Sequence, residues 1–311
     1  MKELYHIILT AHSEVLLRNI DDVRMMTNLS ALSAWRSDTD ILTDSFMSTH
    51  IHFTVMSRNP DVFIRKLRFS ITKAFNYKYH RAGRLFDPNP SAQKVQGTYH
   101  SQMTFNYSLR QGMHHGVSET PFAYPWSTCN YLFGTERGVT PDKPVFRTRS
   151  EVQACLSKNA DFPDEWQADA DGILVRPSFE QLKLVETWYG TARGYMFSMI
   201  RRTSAEWLEE QKKDNNDSPV VTLETLEYGY SNDDITQMLN NEKNSKYLHR
   251  NMPDMEICSL IDNQMLGRFG KTSVYELSAR QKALIADDLR YDPRICSEAQ
   301  LSRCLVMKYH L

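Results

Sequence analysis

The 311-residue sequence predicts an α+β protein: a small antiparallel sheet with helices on one face, followed by a mostly helical C-terminal region. Three observations carry this expectation. The first 80 residues alternate between runs with an apolar period of two and runs with a period near four, in the order strand, helix, hairpin, helix. A proline-rich break and a glycine then separate them from another helical stretch. The last third shows helix-type periodicity alone.

Taken in order, Leu4-Tyr5-His6-Ile7-Ile8-Leu9-Thr10 reads as a strand, with a polar excursion after it around His12-Ser13-Glu14. Residues 21–35 repeat apolar side chains at Val23, Met26, Leu29 and Leu32, one face of a helix. Residues 40–47 run through a short polar link into residues 48–56, which suits an antiparallel hairpin. In that second arm Ile51, Phe53 and Val55 alternate with His50, His52 and Thr54. Asn59-Pro60-Asp61 opens a long helix with Phe63, Leu67, Ile71 and Phe75 spaced by four. Asp87-Pro88-Asn89-Pro90-Ser91 breaks regular structure, residues 93–96 suit a short strand, and Gly97 precedes the helix that carries Tyr107.

The remainder divides by composition. Domains are expected over 1–135, 136–213 (linker and helical extension) and 214–311 (helical). Residues 137–144 hold two prolines and a glycine, residues 161–171 are acidic, and residues 179–207 resume a helical pattern with Arg193, Arg201 and Arg202. Residues 212–219 form a polar linker. Near the end, residues 278–290 form one helix, and Ser297-Glu298-Ala299-Gln300 looks like a capping box opening another. Two helices with a short break are compatible with a DNA-reading helix-turn-helix, with Arg303 and Lys308 toward phosphate, and equally with a plain bundle.

Composition excludes several classes. With 41% hydrophobic and 24% charged residues, a net charge of −1 and a pI near 6.8, nothing global announces nucleic acid, so any basic surface is local. No run of 18 apolar residues exists and the N-terminus lacks a signal peptide's apolar core, so a cytoplasmic location is expected. The five cysteines, at 129, 155, 258, 296 and 304, have neither zinc-site nor disulfide-framework spacing.

Chemistry concentrates in two places. His50 and His52 share a strand face, roughly 6–7 Å apart, a spacing that suits two ligands to one divalent ion and equally a half-exposed polar face. Tyr107 and Gln111 stand one helical turn apart and offer a phenol and an amide oxygen; Tyr99, two turns earlier, is a rival to Tyr107. Local charge is densest from 58 to 84, where Arg65, Lys66, Arg68, Lys73, Lys78, Arg81 and Arg84 interleave with Phe75, Tyr77 and Tyr79. Such a mixture suits single-stranded or hairpin DNA, because cations neutralise phosphates and rings stack unpaired bases. A solvated helix face with a buried aromatic stripe is the other explanation.

His50-Ile51-His52 resembles the histidine-hydrophobic-histidine motif of HUH single-strand DNA nucleases. The text after it is similar to the REP-associated tyrosine transposases: Gly83-Arg84-Leu85-Phe86, then Tyr107-Ser108-Leu109-Arg110-Gln111-Gly112-Met113-His114-His115-Gly116, then Tyr124-Pro125-Trp126-Ser127-Thr128. The spacing fits without gaps from Leu85 to Ser127, and the resemblance covers residues 1 to 135. Gln111-Gly112 stands where that branch carries Asn-Pro, which keeps an amide oxygen. The resemblance implies a ferredoxin-like nuclease domain, Tyr107 as nucleophile, and His50, His52 and Gln111 as ligands of Mg²⁺ or Mn²⁺. It further implies a 5′-phosphotyrosine intermediate in DNA transposition on palindromic repeats. His114 and His115 match a non-ligand pair and are expected to line or cap the site. A relative that only binds hairpins is the alternative, and the sequence does not choose between monomer and homodimer.

Overall fold

The computed structural model describes residues 1–11, 14–139, 144–156, 159–200, 252–292, 294–295 and 297–307. Its first 94 residues run β1 (Glu3–Thr10), α1 (Ile20–Trp35), β2 (Asp40–Phe46), β3 (His50–Ser57), α2 (Pro60–Tyr79) and β4 (Ser91–Lys94). The four strands form one antiparallel sheet in the order β2-β3-β1-β4. This is the split βαβ arrangement of ferredoxin-like proteins, and the α+β class expected from the sequence is the class observed. β4 sits two residues earlier than expected, because its pairing with β1 joins Tyr5 to Lys94 and Ile8 to Ser91.

The period of two in the strands decides which side is core. Ile7 and Leu9 of β1 and Ile51, Phe53 and Val55 of β3 are buried against Val23 and Met26 of α1 and Phe63, Leu67, Ile71 and Phe75 of α2. Asn19 caps α1 in a reciprocal box with Asp22, and Pro60 starts α2, where a missing N–H costs nothing. A register shift between Ile41 and Thr43 lets Ile41 join this core while Leu42 enters a second cluster.

The second cluster covers the opposite face. There α3 (Thr98–Leu109) lays Phe105 and Leu109 against Leu42, together with residues of α7 (Leu182–Tyr189) and α8 (Ala192–Ile200). The helical run expected over 179–207 is broken at Gly190, whose φ of 72° lies in the left-handed region, and residues 201–207 lie outside the described residues. So do the linkers at 140–143 and 212–219, Pro293 and Lys308. The stretch 144–200 shares apolar clusters with the sheet on both sides: Val152, Phe162, Trp166 and Leu174 pack on Ala31 and Leu32 of α1. This stretch also carries α5 (Arg149–Cys155), α6 (Arg176–Phe179) and the two-stranded β5 (Val145–Phe146) and β6 (Ala168–Asp169).

The C-terminal residues contribute α9 (Asp254–Leu260), α10 (Ala279–Leu289) and α11 (Glu298–Cys304), packed around Ile257, Ile261, Ile285 and Leu301. Ser278 heads α10 with a complete capping box. Ser297 accepts the Gln300 N–H as expected, but the Gln300 amide turns to the Met252 carbonyl and Asp254, so the second half of that box is absent. Arg303, expected toward phosphate, makes a two-pronged pair with Asp254 at 2.6 and 2.8 Å. Buried Arg18 joins this unit to the sheet by donating to both Asp262 oxygens and the Cys304 carbonyl. Among the described residues no helix is long and apolar enough to cross a membrane.

On β2 the Asp44 carboxylate accepts from Arg176 Nε at 2.7 Å, and the Glu180 carboxyl lies 3.6 Å from the same nitrogen, all three groups buried. Burial first, and the Asp44 carboxylate second, raise Glu180 well above the usual carboxylate range. A carboxyl that stays protonated in the folded chain and ionises in the unfolded one favours unfolding as pH rises above about 4.3. Wild-type stability is therefore expected to fall between about pH 5 and 8, and Glu180→Gln to flatten that slope and raise stability at the upper end. Urea denaturation across this range measures both; an unchanged slope in the variant would mean that Glu180 is ionised in the folded protein.

Candidate active site

The alternation that buries Ile51, Phe53 and Val55 sends His50 and His52 to the other face of β3, beneath α3. β1 adds a third imidazole to that face. Its register sets His6 opposite Thr54, so His6 lies diagonal to His52, with its Nε2 3.2 Å from His52 Nδ1 and the two rings stacked 5.4 Å apart. Tyr107 of α3 closes the group, with its ring edge-on to His6 at 5.7 Å and to His52 at 5.4 Å. Tyr99 lies two turns earlier on α3, about 12 Å along the axis.

The expected continuous helix through Tyr107 and Gln111 is interrupted. α3 ends at Leu109, Arg110 has φ −89° and ψ 2°, and a single turn, α4 (Gln111–His114), follows. Gln111 Nε2 nonetheless donates to the Tyr107 backbone carbonyl at 3.0 Å, so the Gln111 side chain stays against the last turn of α3 across the break. Arg110 donates to the Ser198 carbonyl, and the Tyr189 hydroxyl donates to Asn106 Oδ1 at 2.9 Å. Residues of α7 and α8 thereby hold the end of the tyrosine helix. His115 brings its Nε2 within 3.1 Å of Gln111 Oε1 and sets its ring 4.9 Å from His50, while the His114 ring lies 6.3 Å from Tyr107.

Gly112 is packed too closely for a larger residue. A Cβ there would stand 2.4 Å from Tyr124 Cγ and 2.5 Å from its Cβ. Tyr124 is itself fixed, since its hydroxyl donates to the Phe46 carbonyl on β2.

The group is rich in imidazole nitrogens, and His52 is its most deeply buried one. His52 is 1% exposed, and burial first, then the neighbouring His50, His6, His115 and His114, push its pKa well below the ordinary imidazole value. A neutral imidazole presents a lone pair, the form that binds a metal ion. His52 Nε2 is buried with no hydrogen-bond partner, while Nδ1 faces His6. Among the described residues no three His, Cys, Asp or Glu side chains are placed to hold a metal ion. A donor set of His50, His52 and Gln111 would include an amide oxygen, which has a second lone pair beyond the one facing His115. Nitrogen-rich ligation suits Mn²⁺ better than the oxygen-seeking Mg²⁺. A divalent ion fits the orphaned His52 nitrogen.

The basic helix lies elsewhere. α2 packs on the sheet face opposite the histidines, so its outer surface is a helix diameter beyond the core. Arg65, Phe69, Lys73 and Tyr77, at successive steps of four, form an exposed stripe of alternating cations and rings, with Phe69 69% and Tyr77 85% exposed. Phe69 was missed by the sequence analysis, although the i, i+4 spacing from Arg65 could have found it. Arg84 is also exposed, Lys66 donates to the Arg36 carbonyl, and Arg68 donates to the Asp87 and Pro88 carbonyls. Three expectations need correction. Tyr79 is 6% exposed with its hydroxyl on Asp22, so its ring is core and cannot stack on a base. Lys78 is paired with Asp22 at 2.6 Å, and Arg81 is paired with Glu14 at 2.8 Å and lies over the Phe75 and Tyr275 rings. Buried carboxylates hold these two cations within the fold.

No protein-family model and no curated protein matches this chain. Solved structures resemble parts of it, among them the following two. A REP-associated tyrosine transposase bound to a REP hairpin is 14% identical, with 45% of this chain and 82% of that one aligned at a TM-score of 0.37. A protein from Deinococcus radiodurans R1, described provisionally as a transposase, is 16% identical, with 34% and 88% aligned at a TM-score of 0.28.

Because Tyr124 cannot retreat, Gly112→Ala is expected to overpack the turn and cost about 1–3 kcal/mol of unfolding free energy. Urea denaturation reads this directly, and a loss below about 0.5 kcal/mol would show that the Gln111 turn shifts freely.

Proposed function

We propose that this chain is a metal-dependent single-stranded DNA endonuclease and strand transferase, a transposase acting on hairpin or palindromic repeat DNA. The observation that carries the proposal is the meeting of His50, His52 and Tyr107, with Gln111 joined to them through His115, drawn from a strand, a helix and a turn; His52, Tyr107 and Gln111 are buried and His50 is half-buried. The HUH-like spacing of these residues supplies the reaction class.

One divalent ion, Mg²⁺ or Mn²⁺, bound by His50, His52 and Gln111 would neutralise charge on the nonbridging oxygens of the scissile phosphate. Tyr107 Oη attacks the phosphorus in line. The bond from phosphorus to the 3′ oxygen breaks, the phenolic proton passes to solvent water, and the leaving oxygen takes a proton from solvent to become a free 3′ hydroxyl. The chain keeps the 5′ phosphate as a tyrosyl ester. That ester retains the energy of the broken bond, so a hydroxyl from another strand can reverse the step and join the two without ATP. The contacts of Tyr107 with His6 and His52 limit the positions its oxygen can take, which supplies the orientation such an attack needs. A cleft of about 580 Å³ lined by His50, His115, Trp126, Met255 and Arg303 would give a strand a route to the group.

A second reading, a relative that binds DNA hairpins without cutting them, is favoured by one observation: Tyr107 is only 3% exposed, so its phenol must be uncovered before it meets a phosphate. The two separate on a single assay. With Mn²⁺ and single-stranded oligonucleotides, the wild type is expected to form a covalent protein–DNA adduct that EDTA abolishes. Tyr107→Phe is expected to remove the adduct while leaving binding within a few-fold. An adduct that persists in Tyr107→Phe and disappears in Tyr99→Phe would move the nucleophile, and no adduct at all would favour the binding-only protein.

The exposed stripe of α2 is the proposed phosphate and base contact. Replacing Arg65 and Lys73 by alanine should lower the slope of log affinity against log salt by about 1.4, two contacts at about 0.7 each on a single strand. Phe69→Ala or Tyr77→Ala should weaken single-strand binding by about 1–3 kcal/mol and leave blunt duplex little changed. Equal binding of the wild type to both forms would place the DNA reader elsewhere in the chain.

A further inference from the structure

Given the metal site proposed above, we infer that His6 is a positioning residue for it: its Nε2 accepts a hydrogen bond from His52 Nδ1–H and so directs His52 Nε2 to the metal ion. A neutral imidazole carries one N–H and one lone pair. For His52 to offer Nε2, its proton must sit on Nδ1, and that proton needs an acceptor in a place that water does not reach. His6 Nε2 is 3.2 Å away, and both rings are buried. The nearly parallel rings, inclined by 17°, and the Tyr107 ring set edge-on to both, hold the pair in one orientation.

The same geometry gives His6 its own tautomer. With Nε2 accepting, its proton is on Nδ1. Metal-bound histidines commonly give their second N–H to a carboxylate or a carbonyl, which adds negative charge or a fixed dipole behind the ligand. A second neutral imidazole orients His52 without adding charge. A simple packing role does not account for the residue, because an aliphatic side chain could fill a covered position of β1 with no polar atom to satisfy. The strand period places His6 on the face of Leu4 and Ile8, and it is the register with β3, 46 residues later in the chain, that brings it to His52.

The test uses the full chain and two variants, with retained fold checked by circular dichroism. His6→Leu removes the acceptor. His6→Gln keeps one, since its amide oxygen can accept the same hydrogen bond. Mn²⁺ titration followed by EPR of the free ion is expected to show weakening of roughly 10- to 100-fold in His6→Leu and affinity close to wild type in His6→Gln. Imidazole ¹⁵N spectra of the metal-free wild type are expected to show His52 as the Nδ1–H tautomer, a preference that His6→Leu loses. A wild type that binds no Mn²⁺ overturns the proposed metal site itself. His52 in the Nε2–H form, equal Mn²⁺ affinity of the wild type and His6→Leu, or equal weakening in both variants overturns the role of His6.

Discussion

Everything in this fold depends on how one strand divides its side chains. β3 lies between β2 and β1, and its alternation gives Ile51, Phe53 and Val55 to the helices and His50 and His52 to the opposite face. A slip of one residue would put two imidazoles into the core and three large apolar groups beneath α3. Burial of the apolar set, each side chain worth about 1.5–3 kcal/mol, therefore holds the histidines in place. Core and candidate site are two faces of the same constraint.

The candidate site contrasts with the charged groups around it. Its members are imidazoles, a phenol and an amide, brought together under cover, where a neutral group costs far less to bury than an ion. Formal charge is buried beside it at Arg110 and further away at Arg18 and Arg176, and the last two guanidiniums join a later part of the chain to the sheet: Arg18 reaches α11 and Asp262, and Arg176 reaches Asp44 on β2. The C-terminal unit and the stretch 144–200 are thus tied to the four-stranded sheet by directional contacts as well as apolar ones. Tyr189, Arg110 and Asn106 extend this to the helix of Tyr107, so the tyrosine is held by residues well outside the stretch that carries the motifs.

Charge on α2 illustrates why composition overstates a binding surface. A helix shows one face to the core, one to its flanks and one to water, and only the last can meet DNA. Arg65 and Lys73 lie on that outer face beside Phe69 and Tyr77, whereas Lys78 is drawn to Asp22 and Arg81 to Glu14. Tyr79 follows the apolar stripe that also holds Phe75, and its phenol is satisfied by the carboxylate that caps α1.

The sequence by itself determined the features that depend on near neighbours. The strand–helix–hairpin–helix order, the shared face of His50 and His52, the proline start of α2 and the closeness of Tyr107 to Gln111 all follow from periods of two and near four and from local capping chemistry. Tertiary structure decided what depends on register and layering. His6 joins His52 only through antiparallel pairing of β1 with β3, and His115 comes beside His50 only because the segment after α3 packs on the sheet face that carries the histidines. The side of the sheet on which α2 lies, away from the histidines, is likewise invisible to a period, which tells how a helix is divided into faces but not which layer its apolar face will meet. Alternation within a segment is encoded by adjacent residues; the pairing of segments is chosen by the packing of the whole chain.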